Sequence, residues 1–324
     1  MPNRYYAGNT LAGFFRSSTA VVDGLTTAGW FDSAYVANAI NVLGGSSTAN
    51  YIESPVFAAS GTIWWVFELR ANSLSGNSCY PLWAYNGATN AYRLSYNSSG
   101  CMLEYWNGSA WISGMRVSTT DPSSARVRVA VKIVCNSEMR IYVGGVELAA
   151  AAITGITTGQ TAVTRTQHWT VNSTSGNCAF SQIMCADYDL RDSRFMAAAL
   201  TGDSASNTNG TGAVTTINET VLDESTGVSL TTTAHKRGQT HAAITVPVGY
   251  VIGAAVLNAR GRAAGTITDG KLGFRSGGTN YSSSGRGYNS GYEPRGYIIE
   301  NDPNTATRFT QAGFNAAETY LEAV

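Results

Sequence analysis

The sequence predicts an all-β protein made of two β-sandwich, jelly-roll-like domains with a short C-terminal helix. Three observations carry this. Charged residues are only 13% of the 324 residues, with three lysines in all, so Ser, Thr, Asn and Gly must cover the surface. Their side chains or backbone freedom compete with helical hydrogen bonding and favour turns and strand ends. Arg126–Val134 (RVRVAVKIV) alternates residue by residue, with Val127, Val129, Val131 and Ile133 on one side. That period of two marks a half-buried strand. Turn formers punctuate the apolar runs at Asn97–Gly100, Asn107-Gly108 and Gly144-Gly145.

Taken in order, residues 1–50 form an N-terminal arm and first strands, with Asp32–Leu43 open between a short helix and a strand. The first sandwich spans 51–203. Its strands are Thr62–Arg70 (TIWWVFELR), β-branched and aromatic throughout, Ala91–Tyr96 and Met102–Trp106 around the Asn97–Gly100 hairpin, and Trp111–Val117 after the Asn107-Gly108 turn. Arg126–Val134, Met139–Val143, Val146–Leu148, Gln167–Val171 and Ala179–Ala186 follow, and Arg191–Leu200 (RDSRFMAAAL) reads as a short helix. Thr201–Gly212 holds no aliphatic residue beyond one Ala, and 204–212 is read as a linker. All seven tryptophans precede it, which points to two separate cores. In the second domain, 213–324, strands are expected at Thr216–Leu222, Val228–Thr232, His241–Val246, Tyr250–Arg260 and Leu272–Arg275. A polar Gly/Ser/Tyr loop at Ser276–Tyr292 precedes a last central strand, Gly296–Glu300. Gln311–Ala323 closes as a helix, with Phe314, Ala317, Leu321 and Val324 at 3–4 spacing. No internal repeat or heptad pattern occurs.

Charge narrows the function. Residues 1–203 carry 12 basic and 12 acidic residues, residues 204–324 nine of each, and no basic run occurs. A nucleic-acid surface needs a basic face, so no nucleic acid is expected as a partner. The first residues, MPNRYYAGNT, lack the apolar run of a signal peptide. No stretch of 18 apolar residues occurs, so no membrane insertion is expected. Five cysteines without a CxxC pair (Cys79, Cys101, Cys135, Cys178, Cys185) read as buried free thiols.

Searches for chemistry point away from catalysis. His168 sits in a strand pattern beside Trp169 and reads as structural, while His235 and His241 flank a turn at no standard metal spacing. The paired carboxylates of a jelly-roll glycosidase, as an alternating Glu-x-Asp on one strand, are missing. Asp187, Asp189 and Asp192 offer oxygen ligands for Ca²⁺, but capping the helix that follows is the preferred reading. No Gly-x-Ser-x-Gly elbow or phosphate loop occurs, and the glycines of 275–278 and 285–291 precede no helix. No cofactor is expected.

Two aromatic clusters are candidates for stacking on sugar rings: Tyr105, Trp106 and Trp111 about the Asn107-Gly108 turn, and Tyr281, Tyr288 and Tyr292 in the long loop. The plainer reading of Trp106 and Trp111 is a cross-strand pair in the core, and the tyrosine loop is equally readable as a protein–protein contact.

Residues 55–200 resemble the concanavalin/laminin-G-like β-sandwich. The resemblance is carried by GTIWWVFELR, AYRLSYNSSGCMLEYWNGSAW, ARVRVAVKIVCNSEMRIYVGGVEL and AFSQIMCADYDLRDSRFMAAAL. Residues 214–324 resemble the C-terminal region of tailed-bacteriophage structural proteins, through Arg275–Thr279 (RSGGT), Asp302–Thr305 (DPNT) and the terminal helix. Phe309-Thr310 stands where Trp-Thr often precedes that helix. These resemblances imply a non-enzymatic virion surface protein, assembled in the host cytoplasm. A tail-fibre or receptor-binding component contacting a host glycan or surface protein is the first choice. A capsid decoration protein (cement or spike) is the alternative, and a glycan-active enzyme ranks third. The expected partners are other virion proteins, further copies of the chain and a host surface glycan.

Overall fold

A computed structural model describes residues 3–44, 50–72, 74, 78–170, 176–217, 224–263 and 265–324. The chain divides into two compact units, residues 1–195 and 196–324. Both are built from antiparallel strands.

In the first unit the strands are Arg4–Gly8 (β1), Phe15–Arg16 (β2), Val21–Leu25 (β3), Ala39–Leu43 (β4), Tyr51–Glu53 (β5), Thr62–Ala71 (β6), Cys79–Asn86 (β7) and Thr89–Asn97 (β8). Gly100–Trp106 (β9), Trp111–Ser113 (β10), Val127–Val134 (β11), Glu138–Val143 (β12), Val146–Glu147 (β13), Ile153–Thr154 (β14), Arg165–Trp169 (β15) and Asn177–Ala186 (β16) complete it. One sheet runs β13-β12-β11-β6-β16-β4-β3, with β1 also on β16 and β14 on β12. The other runs β10-β9-β8-β7-β15-β5-β2.

The inner faces of the two sheets bury a common core. Val127, Val129, Val131 and Ile133 of β11 are buried while Arg128 and Lys132 stay partly exposed, as the alternation requires. Strand β6 sits between β11 and β16, and Ile63 through Leu69 are all buried, the charged Glu68 included. From the second sheet come Leu82, Ala84, Tyr92, Leu94, Tyr96 and Leu103, each without exposed surface. His168 of β15 packs against Phe67 of β6 (5.6 Å) and Phe180 of β16 (5.5 Å), joining the sheets. The turns obey their glycines: Gly144 and Gly145 both take positive φ (59° and 86°), which the tight β12–β13 link requires.

The second unit contains Leu200–Thr208 (β17), Lys236–His241 (β18), Ala255–Gly261 (β19), Asp269–Ser276 (β20), Thr279–Ser282 (β21), Arg286–Gly287 (β22), Glu293–Ile299 (β23) and Glu318–Ala323 (β24). One sheet runs β17-β18-β24-β20-β21, with β22 also on β20, and β19 pairs with β23 as a separate ladder. Ala255, Phe274, Ile299, Phe309 and Ala317 form its core.

Several expectations need correction. The helix expected at Arg191–Leu200 is a turn leading into extended chain. Arg191 stacks over Tyr142 (4.6 Å) and Trp64 (5.4 Å), and Arg128 donates to the Ser193 carbonyl, contacts that override the helix propensity of the Ala run. Residues 204–208, read as linker, belong to β17, which pairs with β18. Asp32–Leu43 resolves to a strand over its last residues, β4. The terminal helix is only Gln311–Asn315, capped by the Thr310 hydroxyl accepting from Gly313 N; β24 follows it. That strand is central, bonded to both β18 and β20, whereas the strand expected at Gly296–Glu300 falls in the two-stranded ladder. Val228–Thr232 makes one isolated bridge, Ser229 to Thr211. The strands expected at His241–Val246 and Tyr250–Arg260 lie earlier and later, as β18 and β19. Residues 218–222 of the strand expected at Thr216–Leu222 lie outside the described residues, as does Val171.

Candidate functional site

Antiparallel partners share a sheet face, so register alone assembles a site on the outer face of the second sheet in the first unit. Ser113, Glu104, Arg93, Trp83, Gln167, Glu53 and Phe15 are successive cross-strand partners, one from each strand. Flanking this row stand Trp106 opposite Trp111, Arg165 opposite Tyr85, and Trp169 opposite both Tyr51 and Tyr80. The outer face of a sandwich ordinarily carries Ser and Thr. This one carries large aromatic, charged and amide side chains, most of them half-buried against one another.

At its centre Arg93 grips Glu104 through two hydrogen bonds, Nε to Oε2 at 2.7 Å and a terminal NH₂ to Oε1 at 3.1 Å. The Ser113 hydroxyl donates to the same carboxylate at 2.9 Å. The guanidinium lies over three rings, 4.0 Å from Trp111, 4.7 Å from Tyr80 and 4.8 Å from Trp83. A planar cation with donors in its plane and π faces above and below suits both contacts at once.

Two strands further on, Gln167 is the hub. Its Oε1 accepts from the Tyr85 hydroxyl (2.8 Å) and Trp169 Nε1 (2.9 Å), and its Nε2 donates to Glu53. Two donors on the oxygen leave one orientation for the amide. Arg165 closes the set, bonding Glu53 at 2.7 Å and lying 4.6 Å from the Tyr85 ring. Burial pushes the Tyr85 phenol up to about 12, so at neutral pH it stays protonated and donates. Trp83 Nε1 is held by Asn90 Oδ1 at 3.0 Å, which fixes the ring that Trp169 and Trp111 pack against (5.6 and 5.3 Å).

The result is a stiff, amphipathic plane of ring edges and faces interleaved with acceptors and donors, the chemistry that recognises carbohydrate. Glu53 and Glu104 share the face but stand four strands apart, about 19 Å along the sheet. Each is ion-paired to an arginine. Glycosidase carboxylates stand about 5–9.5 Å apart, so hydrolysis by this pair is not what the geometry offers.

The sequence candidates divide. Trp106 and Trp111 join the site as direct cross-strand partners with ring centroids 5.6 Å apart, half-buried on the outer face and not in the core. Tyr105 alternates to the opposite face, as partner of the buried Tyr92. Tyr281, Tyr288 and Tyr292 lie in the second unit. Tyr281 stands opposite Phe274, Tyr288 lies beneath Arg295 (4.7 Å), and the Tyr292 hydroxyl donates to the Glu224 carbonyl at 2.5 Å under Arg262.

Asp187, Asp189 and Asp192 neither gather nor cap a helix. Asp187 accepts from the Asn3 backbone and side chain, and Asp189 is clasped by Arg191. Asp192 is exposed, and the described residues hold no metal-binding group of three. His168 is wholly buried, with Nδ1 against the Pro81 carbonyl at 2.7 Å, and burial lowers its pKa to about 4. All five cysteines are free thiols and four are buried.

The sequence reading missed Trp83, Arg93, Gln167, Glu53 and Trp169. A signal existed in Arg165-x-Gln167-x-Trp169, large polar and aromatic residues alternating on a face that a plain sandwich leaves to small ones.

No family model and no curated protein matches this sequence. Solved structures do. The cellulose-induced protein Cip1 is 13% identical, over 56% of this chain and 94% of its own, with a TM-score of 0.43. The alginate lyase AlyC3 is 11% identical, over 46% and 75%, at 0.35. The β-agarase A of Zobellia galactanivorans is 9% identical, over 56% and 88%, at 0.39. At such identities the likeness is one of sandwich architecture alone. It corrects one expectation. Two of the three are enzymes by name, so the sequence-based exclusion of an enzyme does not stand.

Proposed function

We propose that the outer sheet face of the first unit is a glycan-binding surface, presented on a bacteriophage particle by a tail-fibre or receptor-binding component. The observation that supports it is the row Glu104–Arg93–Trp83–Gln167–Glu53, with Trp106, Trp111 and Trp169 beside it. Rings supply flat apolar area for the hydrogen faces of sugars, and the locked amide and carboxylates supply direction for hydroxyls. Neighbouring partners already hold these side chains, so binding costs little ordering entropy. The particle setting draws on the resemblance of residues 214–324 to tailed-phage structural proteins.

The test is a glycan-array screen of the purified chain, followed by titration of the best ligand while tryptophan emission is recorded. Trp83, Trp111 and Trp169 lie on the face, so binding there changes the emission. Trp111→Ala weakens binding about tenfold, the equivalent of one stacking contact of about 1.4 kcal/mol. An array without a hit, or a ligand that Trp111→Ala and Gln167→Ala both bind as tightly as the parent, refutes the assignment. Mass spectrometry of purified particles, counting copies per virion, tests the location: a few to tens is the tail-component outcome, and hundreds or none overturns it.

A further inference from the structure

A second site stands in the other unit, independent of the sheet face. Strands β20 and β23 and the segment 283–288 line a half-open cavity of about 190 Å³. Its lining includes Tyr288, Tyr297, Arg286, Arg295 and Ser284. Gly270 makes room for it: a Cβ there would stand 2.8 Å from the Tyr288 ring, so a side chain at 270 would displace the ring that walls the cavity.

Several hydrogen-bonding groups of this lining lack partners. Arg295 pairs with Glu293 at 2.6 Å and donates to the Gly287 carbonyl, yet its Nε is buried without an acceptor. A buried donor left unmade ordinarily finds water or a ligand. Among the described residues Arg286 makes no ion pair, and the half-buried Tyr297 hydroxyl has no hydrogen-bond partner. Glu293 offsets the charge of Arg295, and Arg286, opposite Gly270 and next to the Asp269–Gly287 pair, is left without an ion pair. An orphaned buried donor, an arginine without an ion pair and two tyrosine rings call for a ligand that is flat-sided, rich in acceptors and singly negative.

We infer that this cavity binds a monosaccharide-sized carboxylate, a hexuronic acid unit, with Arg286 on the carboxylate and the Tyr288 and Tyr297 side chains along the sugar ring. A neutral hexose leaves the charge of Arg286 unanswered and binds less well.

The test is a calorimetric and ligand-detected NMR titration of the full chain with methyl β-D-glucuronide, and with methyl β-D-glucoside as the neutral counterpart. Trp111→Ala and Gln167→Ala, which test the sheet face, serve as the controls that separate the two sites. The expected result is glucuronide binding that both of these variants leave unchanged. Arg286→Gln and the glucoside each weaken it by about tenfold or more, as loss of one charge-assisted contact does. Tyr297→Phe, which keeps the ring, weakens it less. Arg286 is exposed, so Arg286→Gln tests the contact and not the fold. No glucuronide binding, equal binding of the glucoside, an unchanged affinity in Arg286→Gln, or loss of glucuronide binding in Trp111→Ala or Gln167→Ala overturns the assignment. Failure of the sheet-face proposal leaves these outcomes untouched.

Discussion

Replacing Arg93 by Met tests how the sheet face is held together. Methionine keeps the length of the stem and removes the cation. Glu104 then remains at 4% exposure with the Ser113 hydroxyl as its one remaining side-chain donor. A charge stranded by removal of its partner costs about 3–5 kcal/mol. The three rings beneath the guanidinium lose their cation as well, at about 0.5–1 kcal/mol for an exposed contact. The expected loss for Arg93→Met is therefore about 3.5–6 kcal/mol. Most of that belongs to the orphaned carboxylate, so adding Glu104→Gln to Arg93→Met restores about 2 kcal/mol or more. Urea unfolding followed by tryptophan emission measures both, because Trp83 and Trp111 touch the guanidinium. A loss below about 1 kcal/mol in the single variant, or a double variant no more stable than the single, refutes the view that Arg93 and Glu104 form one buried unit.

Three other outcomes are expected. His168 has a folded pKa near 4 against 6.5 for the free side chain, so below 6.5 the unfolded chain takes a proton that the folded chain refuses. Its contribution is complete above pH 6.5 and falls by about 3 kcal/mol as pH drops through 4. His168→Gln flattens that part of a stability–pH curve, and an unchanged curve disproves it. Gly100→Ala places a Cβ 2.0 Å from the Val117 carbonyl oxygen at φ +119° and costs upwards of about 2 kcal/mol, whereas Gly87→Ala, with open space, costs about 1 kcal/mol of left-handed strain. Thermal melts of the two variants rank them. Thiol titration of the native chain modifies at most Cys135, the one cysteine not fully buried, whose pKa burial pushes up to about 11, and urea releases all five.

The fold was legible where its cause is local. Strand β11 shows itself by strict alternation, and the Asn107 turn by a side chain that accepts from the Ser109 and Ala110 amides. It was illegible where the cause is distant. Phe314, Ala317, Leu321 and Val324 fit a helical period, but bonding to β18 and β20 on either side makes 318–323 a strand. The same holds for the site. Trp106 and Trp111 were found because a turn brings them together. Gln167 and Glu53 are 114 residues apart and meet only through the register of β15 on β5. Searching for carboxylates on one strand also overlooked Glu53 and Glu104, which one face unites across four strands.

The central place of β24 has a consequence for biosynthesis. Strand β20 ends at Ser276 and β24 at Ala323, 47 residues later. At about 5–20 residues per second, a ribosome needs roughly 2–9 s to cross that interval. Throughout it β18 and β20 present unpaired edges separated by the width of one missing strand. Any six-residue extended segment fits that slot, including β24 of a neighbouring nascent chain on the same message. Exchange of this strand between chains is therefore the misassembly to which the second unit is most open. Slow translation and crowded polysomes favour it, and an excess of a free peptide with the sequence of 318–323 competes with it.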